Sequence, residues 1–288
     1  MTYRILPQHL HSTADVVRNY LANELGLGQI REETPADAND EYRPTFVAAS
    51  RDFHIYCIDV SENIDNNTRW DYVRDCEHEG RPVKFFVALP STGYNAFAAE
   101  LKKAQSYGVG VLDVSTQSGR CILISSATSL SLCGLRKFDK DRLPRKCREA
   151  LAGAVSTFKN GDPSKGCGDI YDEIESLTRK IAFQAYKKGL WTKTIRKPQE
   201  LLDGKTGWAT VIDHLQNDVD KSATSPYSVL TFDLLARTRA VTGHRNQSAH
   251  KPNSIRKLKQ RDSELRTRME TAVDLWCDLA NATKSLRV

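Results

Sequence analysis

Along residues 14–25, ADVVRNYLANEL, the apolar positions Val16, Val17, Tyr20, Leu21 and Leu25 recur at helical spacing, and Gly26 is placed to end that helix. The period then shortens. TFVAAS (45–50) and FHIYCIDV (53–60) are rich in β-branched and aromatic residues, and the Ser-Arg-Asp between them suits a hairpin turn. A charged helical segment, NTRWDYVRDCEHEG (67–80), precedes a strand at VKFFVALP (83–90). An amphipathic helix at YNAFAAELKKAQSYG (94–108) and strands at VGVLDV (109–114) and RCILIS (120–125) follow. This order predicts an α/β domain with a mixed sheet.

From Lys137 the pattern changes. The basic stretch KDRLPRKCREALAGAVSTFK contains a connecting helix, and NGDPSKGCGD (160–169) is dense in turn residues, which places a boundary there. Beyond it no strong strand pattern recurs. Ile170, Ile174, Leu177 and Ile181 form one helical stripe, and Leu258, Leu265, Met269, Ala272, Val273, Trp276 and Leu279 form a longer one. With shorter helices near 208–217 and 229–249, they predict an all-α second domain. The expected organisation is an α/β domain over 1–136, a connecting helix and linker over 137–165, and a helical domain over 166–288.

Composition narrows the setting. The 288 residues are 40% hydrophobic and 27% charged, the balance of a folded globular chain. No apolar run approaches the roughly 18 residues that cross a bilayer, and MTYRILPQHLHS lacks the apolar core of a secretory signal, so no membrane role and a cytoplasmic location are expected. Seven scattered cysteines form no C-x-x-C pair and read as reduced packing residues, without a metal site. Residues 1–160 carry 20 Lys+Arg against 20 Asp+Glu, and residues 161–288 carry 22 against 16, so the whole excess of +6 lies in the second half. An anionic partner such as nucleic acid would meet that half, although so mild a balance is also common in proteins that bind nothing charged.

The segment GHRNQSAHKP (243–252) concentrates polar chemistry at the end of a helical pattern, shortly before Pro252 stops it. Arg-x4-His alone carries little weight, since Arg4 with His9 and Arg239 with His244 repeat it. In context, RNQSAH (245–250), preceded by IYDEIESLTRKIAFQAYKKGLW (170–191) with Glu173, Glu175 and Arg179, resembles the HEPN domains of prokaryotic defence and toxin systems. The resemblance covers roughly residues 165–287. It implies a helical bundle that dimerises about its motif-bearing helices and, in many members, a metal-independent RNase without cofactors. Arg245 and His250 match the catalytic pair, and Asn246 matches the polar residue that often follows the arginine.

Chemistry agrees with that assignment. Cleavage of RNA without a metal has the 2′-OH attack the adjacent phosphate, with proton transfer by a group titrating near neutrality and a cation on the developing charge. Histidine and arginine suit those tasks. On one regular helix Arg245 and His250 stand about 140° apart, whereas Asn246 and His250 share a face. A two-fold dimer supplying both residues across its interface resolves this. The competing explanation is that Arg245, His250 and Lys251 favour a helix C-terminus through its dipole. Lys251, Arg256, Lys257 and Lys259 are candidates for guiding RNA phosphates, against a solvated helix face. Glu175 and Arg179, at i and i+4, read as structural.

YRPTFVAASRDFHIYCIDVSEN (42–63) resembles the central hairpin of restriction-endonuclease-like domains. In active members an Asp follows the proline, and the next strand carries an acidic residue, a spacer and a lysine. Here Thr45 stands at the first position, and Asp59, Val60 and Ser61 put serine in place of lysine. A metal site needs carboxylates, which leaves a degenerate frame that senses a ligand or regulatory partner, or a site relocated to Glu24, Asp59, Glu62 and Lys84. Three functions follow: a dimeric RNase effector, a metal-dependent nuclease of the first domain, and a non-enzymatic dimer binding nucleic acid or protein.

Overall fold

The computed structural model describes residues 3–91, 98–191, 198–245, 252–284 and 286. The chain divides into two compact units. The first comprises Met1–Leu135, Lys159–Pro163 and Lys251–Arg266, and the second Arg136–Phe158, Ser164–His250 and Thr267–Val288. The mixed sheet lies in the N-terminal half and the C-terminal half is helical, so the α/β then all-α layout holds.

The first unit is built on six strands in sequential order: β1 (Gly28–Glu32), β2 (Phe46–Ala49), β3 (Ile55–Val60), β4 (Val83–Pro90), β5 (Gly110–Ser115) and β6 (Arg120–Ser125). β1, β2 and β3 form an antiparallel meander, β3, β4 and β5 run parallel, and β6 returns antiparallel. Parallel neighbours need a crossover, and helices α2 (Asn67–His78) and α3 (Ala98–Ser106) supply the two required here. The near-continuous apolar run of β4 is explained by cover on both faces. On one face Cys57, Phe85, Val87 and Val111 pack with Trp70, Val73 and Cys76 of α2, Ala104 of α3, and Leu130 and Cys133 of the short α4 (Leu130–Cys133). On the other, Ile58, Val60, Phe86, Ala88, Leu112 and Val114 pack with Ala14 and Val17 of α1 (His11–Asn19).

Two local details differ from the sequence expectation. The first helix starts earlier, at His11, and its last five residues, Tyr20–Glu24, widen into a π-helical turn. β1, GQIRE, was not expected: it is a polar edge strand with a register shift and with Gln29 at φ 51°, so it lacks the alternation that marks a half-buried strand. Gly110 is required by close approach, because a Cβ there would lie 2.4 Å from the Phe86 ring. The first unit also includes the opening turns of the last helix, α9 (Ile255–Lys284). There Leu258 and Asp262 are fully buried, and Asp262 accepts from the Ser131 hydroxyl and from Arg261 Nη2 at 3.1 Å.

The second unit contains α5 (Arg145–Lys159), α6 (Pro163–Lys187), α7 (Trp208–Asn217), α8 (Phe232–Arg245) and the remainder of α9. NGDPSKGCGD is not a loop throughout, since Pro163 starts α6 at a position where a helix tolerates its missing N–H. The turn is confined to the residues around Gly161, at φ 100°. Gly166 belongs inside α6, because a Cβ there would stand 2.7 Å from Ala154 O of α5. The predicted stripe of α6 is buried at Ile170, Ile174 and Ile181, and that of α9 at Met269, Val273, Trp276 and Leu279. Asp278 fastens α8 to α9 by accepting from Arg237 Nη1 and Nη2, both at 3.0 Å. All seven cysteines are free and six are buried, which raises the Cys121, Cys133 and Cys167 thiols to about 12. No described helix is long and apolar enough to cross a membrane.

Candidate functional site

Arg245, the first residue of RNQSAH, is the last residue of α8. Asn246, His250 and Lys251 lie outside the described residues. One helical turn before Arg245, the α8 residues Arg239, Thr242 and Gly243 line a cavity of about 490 Å³. Glu175 and Arg179 of α6 form another wall, and Gly204, Gly207, Trp208 and Ala209 complete it.

Each wall has a local cause. Arg179 is buried, and its guanidinium donates to Glu175 Oε1 from Nε at 2.8 Å and Nη2 at 2.6 Å. Its Nη1 donates to the carbonyls of Leu201 at 3.0 Å and Thr206 at 2.9 Å, so one side chain fixes the 201–206 loop against α6. The Trp208 indole donates to Thr178 Oγ1 at 2.9 Å and anchors the start of α7. Gly207 is the N-cap of α7 and no side chain caps the helix, so its first backbone N–H groups and the positive end of its dipole border the cavity. Arg239 is half exposed and pairs with Asp213 at 2.9 Å. A Cβ on Gly243 would meet no atom within 4 Å. Glycine inside a helix costs about 1 kcal/mol relative to alanine, and nothing among the described residues needs the space it leaves. Arg179 is spent on Glu175 and two carbonyls, so it is the half-exposed Arg239, the backbone laid open at the glycines and the uncapped helix N-terminus that favour an anionic group here.

In the first unit Thr45 and Asp59 are both occupied by internal contacts. Thr45 Oγ1 accepts from the buried Val60 N–H at 3.1 Å, joining β2 to β3. Asp59 Oδ2 accepts from Arg69 Nε and Nη2, each at 2.9 Å, and from the Tyr42 hydroxyl at 2.5 Å. Arg69 is 1% exposed and also donates to the carbonyls of Asn63 and Ile64. Burial and the Asp59 charge push the Tyr42 phenol up, keeping it a donor. Asp59 is thus neutralised within the fold.

The other relocated candidates do not join it. Lys84 lies over the Tyr56 ring on the α1 face, whereas Asp59, with Tyr42 and Arg69, belongs to the α2 face. Glu24 is exposed at the end of the π turn. Glu62, beyond β3, is exposed and contacts His9 Nε2 at 2.9 Å. Among the described residues no group of three or more His, Cys, Asp or Glu is placed to hold a metal ion.

Arg256, Lys257 and Lys259 are exposed on the opening turns of α9 and belong to the first unit. No acidic residue offsets them in the first turn, although cations are unfavourable at a helix N-terminus. Sequence reasoning gave Arg69 no role, and no periodicity could have singled out one buried arginine in a charged segment. Arg239 entered only as a chance repeat of the Arg-x4-His spacing.

Comparisons with family models, with curated proteins and with solved structures returned no match.

Proposed function

We propose that the helical unit is a metal-independent RNase acting through Arg245 and His250, with Asn246 beside them, and that two copies of the chain join to complete the site. The single observation that carries this reading is the anion-favouring cavity along α8, one turn before the Arg-Asn-Gln-Ser-Ala-His segment. A phosphate seated against Arg239, Thr242 and the N-terminus of α7 would hold an RNA strand beside that segment. His250 would move the proton between the 2′-OH and the leaving oxygen, and Arg245 would stabilise charge on the phosphorus oxygens.

The first unit serves in this reading as a restriction-endonuclease-like frame without metal chemistry. The order of helix, three-stranded meander, helix and parallel strand over residues 11–90 supports the frame. The Asp59–Arg69 pair supports the loss of its chemistry, because a carboxylate held by a buried guanidinium is a poor ligand for a hard cation. A defence or toxin role, with the first unit regulating or targeting cleavage, belongs to the same proposal and rests on the resemblance alone.

The test is degradation of a mixed RNA substrate in excess EDTA. Wild type is expected to cleave, and His250→Ala and Arg245→Ala to lose at least about 100-fold, the scale of one general acid–base group. Arg239→Ala is expected to raise KM more than it lowers kcat. Cleavage that disappears only on chelation favours a metal-dependent nuclease. Salt-sensitive RNA binding without turnover, unchanged by His250→Ala, favours a non-enzymatic binding protein.

A further inference from the structure

A second cavity, of about 500 Å³, lies in the first unit outside the carboxyl ends of the parallel strands. Pro90 and Ser91 come from the end of β4, Val114 and Ser115 from the end of β5, and Glu62 from the segment after β3. The opening turns at the start of α1 close the far side. Ligands of open α/β sheets bind outside the carboxyl ends of the strands where the strand order reverses; the order here is sequential, and the concavity comes instead from the start of α1 lying across those ends.

The lining defines the ligand. Ser12, Thr13, Ser91, Ser115, Thr116 and Gln117 offer groups that both donate and accept, which matches hydroxyls on a ligand. Among the described residues no lysine or arginine lines the cavity, and the one carboxylate, Glu62, opposes a polyanion. Glu62 and His9 are in contact at the rim and are 63% and 60% exposed, so the carboxylate is open to accept from a vicinal diol while His9 holds its orientation. Leu10, Pro90 and Val114 give a short apolar wall. Of these polar groups Thr13 sits deepest: it is 2% exposed and lines the cavity from the start of α1.

We propose that this cavity binds a compact, uncharged ligand bearing vicinal hydroxyls: a pentose, either free or as the sugar of a nucleoside. The diol is held by Glu62 and the serine and threonine hydroxyls, and a base, where present, rests on Leu10, Pro90 and Val114. The volume lies within the range of small-molecule sites, about 300–1,000 Å³.

Saturation-transfer NMR and calorimetry on the full chain, with adenosine, ribose and AMP as probes, test the proposal. Adenosine is expected to bind, and AMP more weakly by about tenfold or more because no lysine or arginine of the described lining offsets its phosphate. Ribose as tight as adenosine identifies the free sugar as the source, and adenosine alone identifies the nucleoside. Thr13→Val, which keeps shape and removes the hydroxyl, and the exposed Glu62→Gln are each expected to weaken adenosine at least fivefold with an unchanged melting temperature. Absence of binding by both adenosine and ribose, tighter binding of AMP than adenosine, or binding indifferent to both substitutions overturns it.

Discussion

Asp59 in the α/β unit, a candidate for a relocated metal site, and Arg239 in the helical unit, met only as a repeat of the Arg-x4-His spacing, are both charged, yet their surroundings differ. Asp59 is enclosed by the buried Arg69 and by Tyr42, accepting from Arg69 Nε and Nη2 and from the Tyr42 hydroxyl. Arg239 stands half exposed on a cavity wall, with an exposed aspartate for a partner and an empty position at Gly243 one turn on. Charge paired inside the fold is costly to strand by removing its partner, whereas charge beside unfilled space remains able to meet a ligand.

Arg69→Met tests the closed side most severely. It leaves Asp59 without its counter-charge and is expected to cost about 3–5 kcal/mol, with much of that loss recovered in the Arg69→Met, Asp59→Leu double variant. Chemical denaturation measures both, and an Arg69→Met chain as stable as wild type breaks the comparison. Next in size, Arg179→Met removes two hydrogen bonds to Glu175 Oε1 and two to the carbonyls of Leu201 and Thr206. A loss of about 2–4 kcal/mol is expected, together with faster hydrogen exchange in the 201–206 loop.

On the open side, Gly243→Ala is expected to stabilise the chain by up to about 1 kcal/mol, since the new methyl meets no neighbour, while RNA turnover falls because the cavity narrows. Thermal melting and the cleavage assay separate the two effects, and a variant equally active and more stable would remove the cavity from the account. The smallest effect is on pH dependence. Burial first, and then the nearby Lys84, hold the His54 imidazole below its usual range, against the opposing pull of Asp52. The unfolded chain therefore binds a proton that the folded chain resists, so stability is full above about pH 6.5 and declines as pH falls below it. Melting curves from pH 7.5 to 5 should show that decline, with a shallower slope in His54→Gln.

The sheet and long helices were legible where side-chain period dominates. The β2–β3 hairpin, β4, β5 and β6 were expected within a residue or two, because β-branched and aromatic runs such as VKFFVALP have few other homes in a folded chain. Trp208–Asn217 and the α9 stripe were equally plain. The polar edge strand β1 was not, since its pairing comes from backbone hydrogen bonds and a bulge rather than from an apolar face. The start of α6 was hidden by proline and glycines that signal turns in isolation, and its glycine at 166 is explained only by α5 lying against it. At the site, Glu175 and Arg179 were visible as a helical pair, but not the carbonyls of Leu201 and Thr206 that Arg179 reaches. Arg69 escaped because its partner lies 10 residues away, on a strand rather than at a helical spacing.

The most direct measurement is the chemical identity of RNA ends produced in excess EDTA. Attack by the 2′-OH with Arg245 and His250 predicts fragments ending in 2′,3′-cyclic phosphate, no cleavage of a substrate whose 2′-hydroxyls are methylated, and no fragments from His250→Ala. Fragments of the same kind from His250→Ala, or an intact substrate with wild type at every condition of salt and pH tried, would contradict the assignment of this chain as an Arg/His ribonuclease.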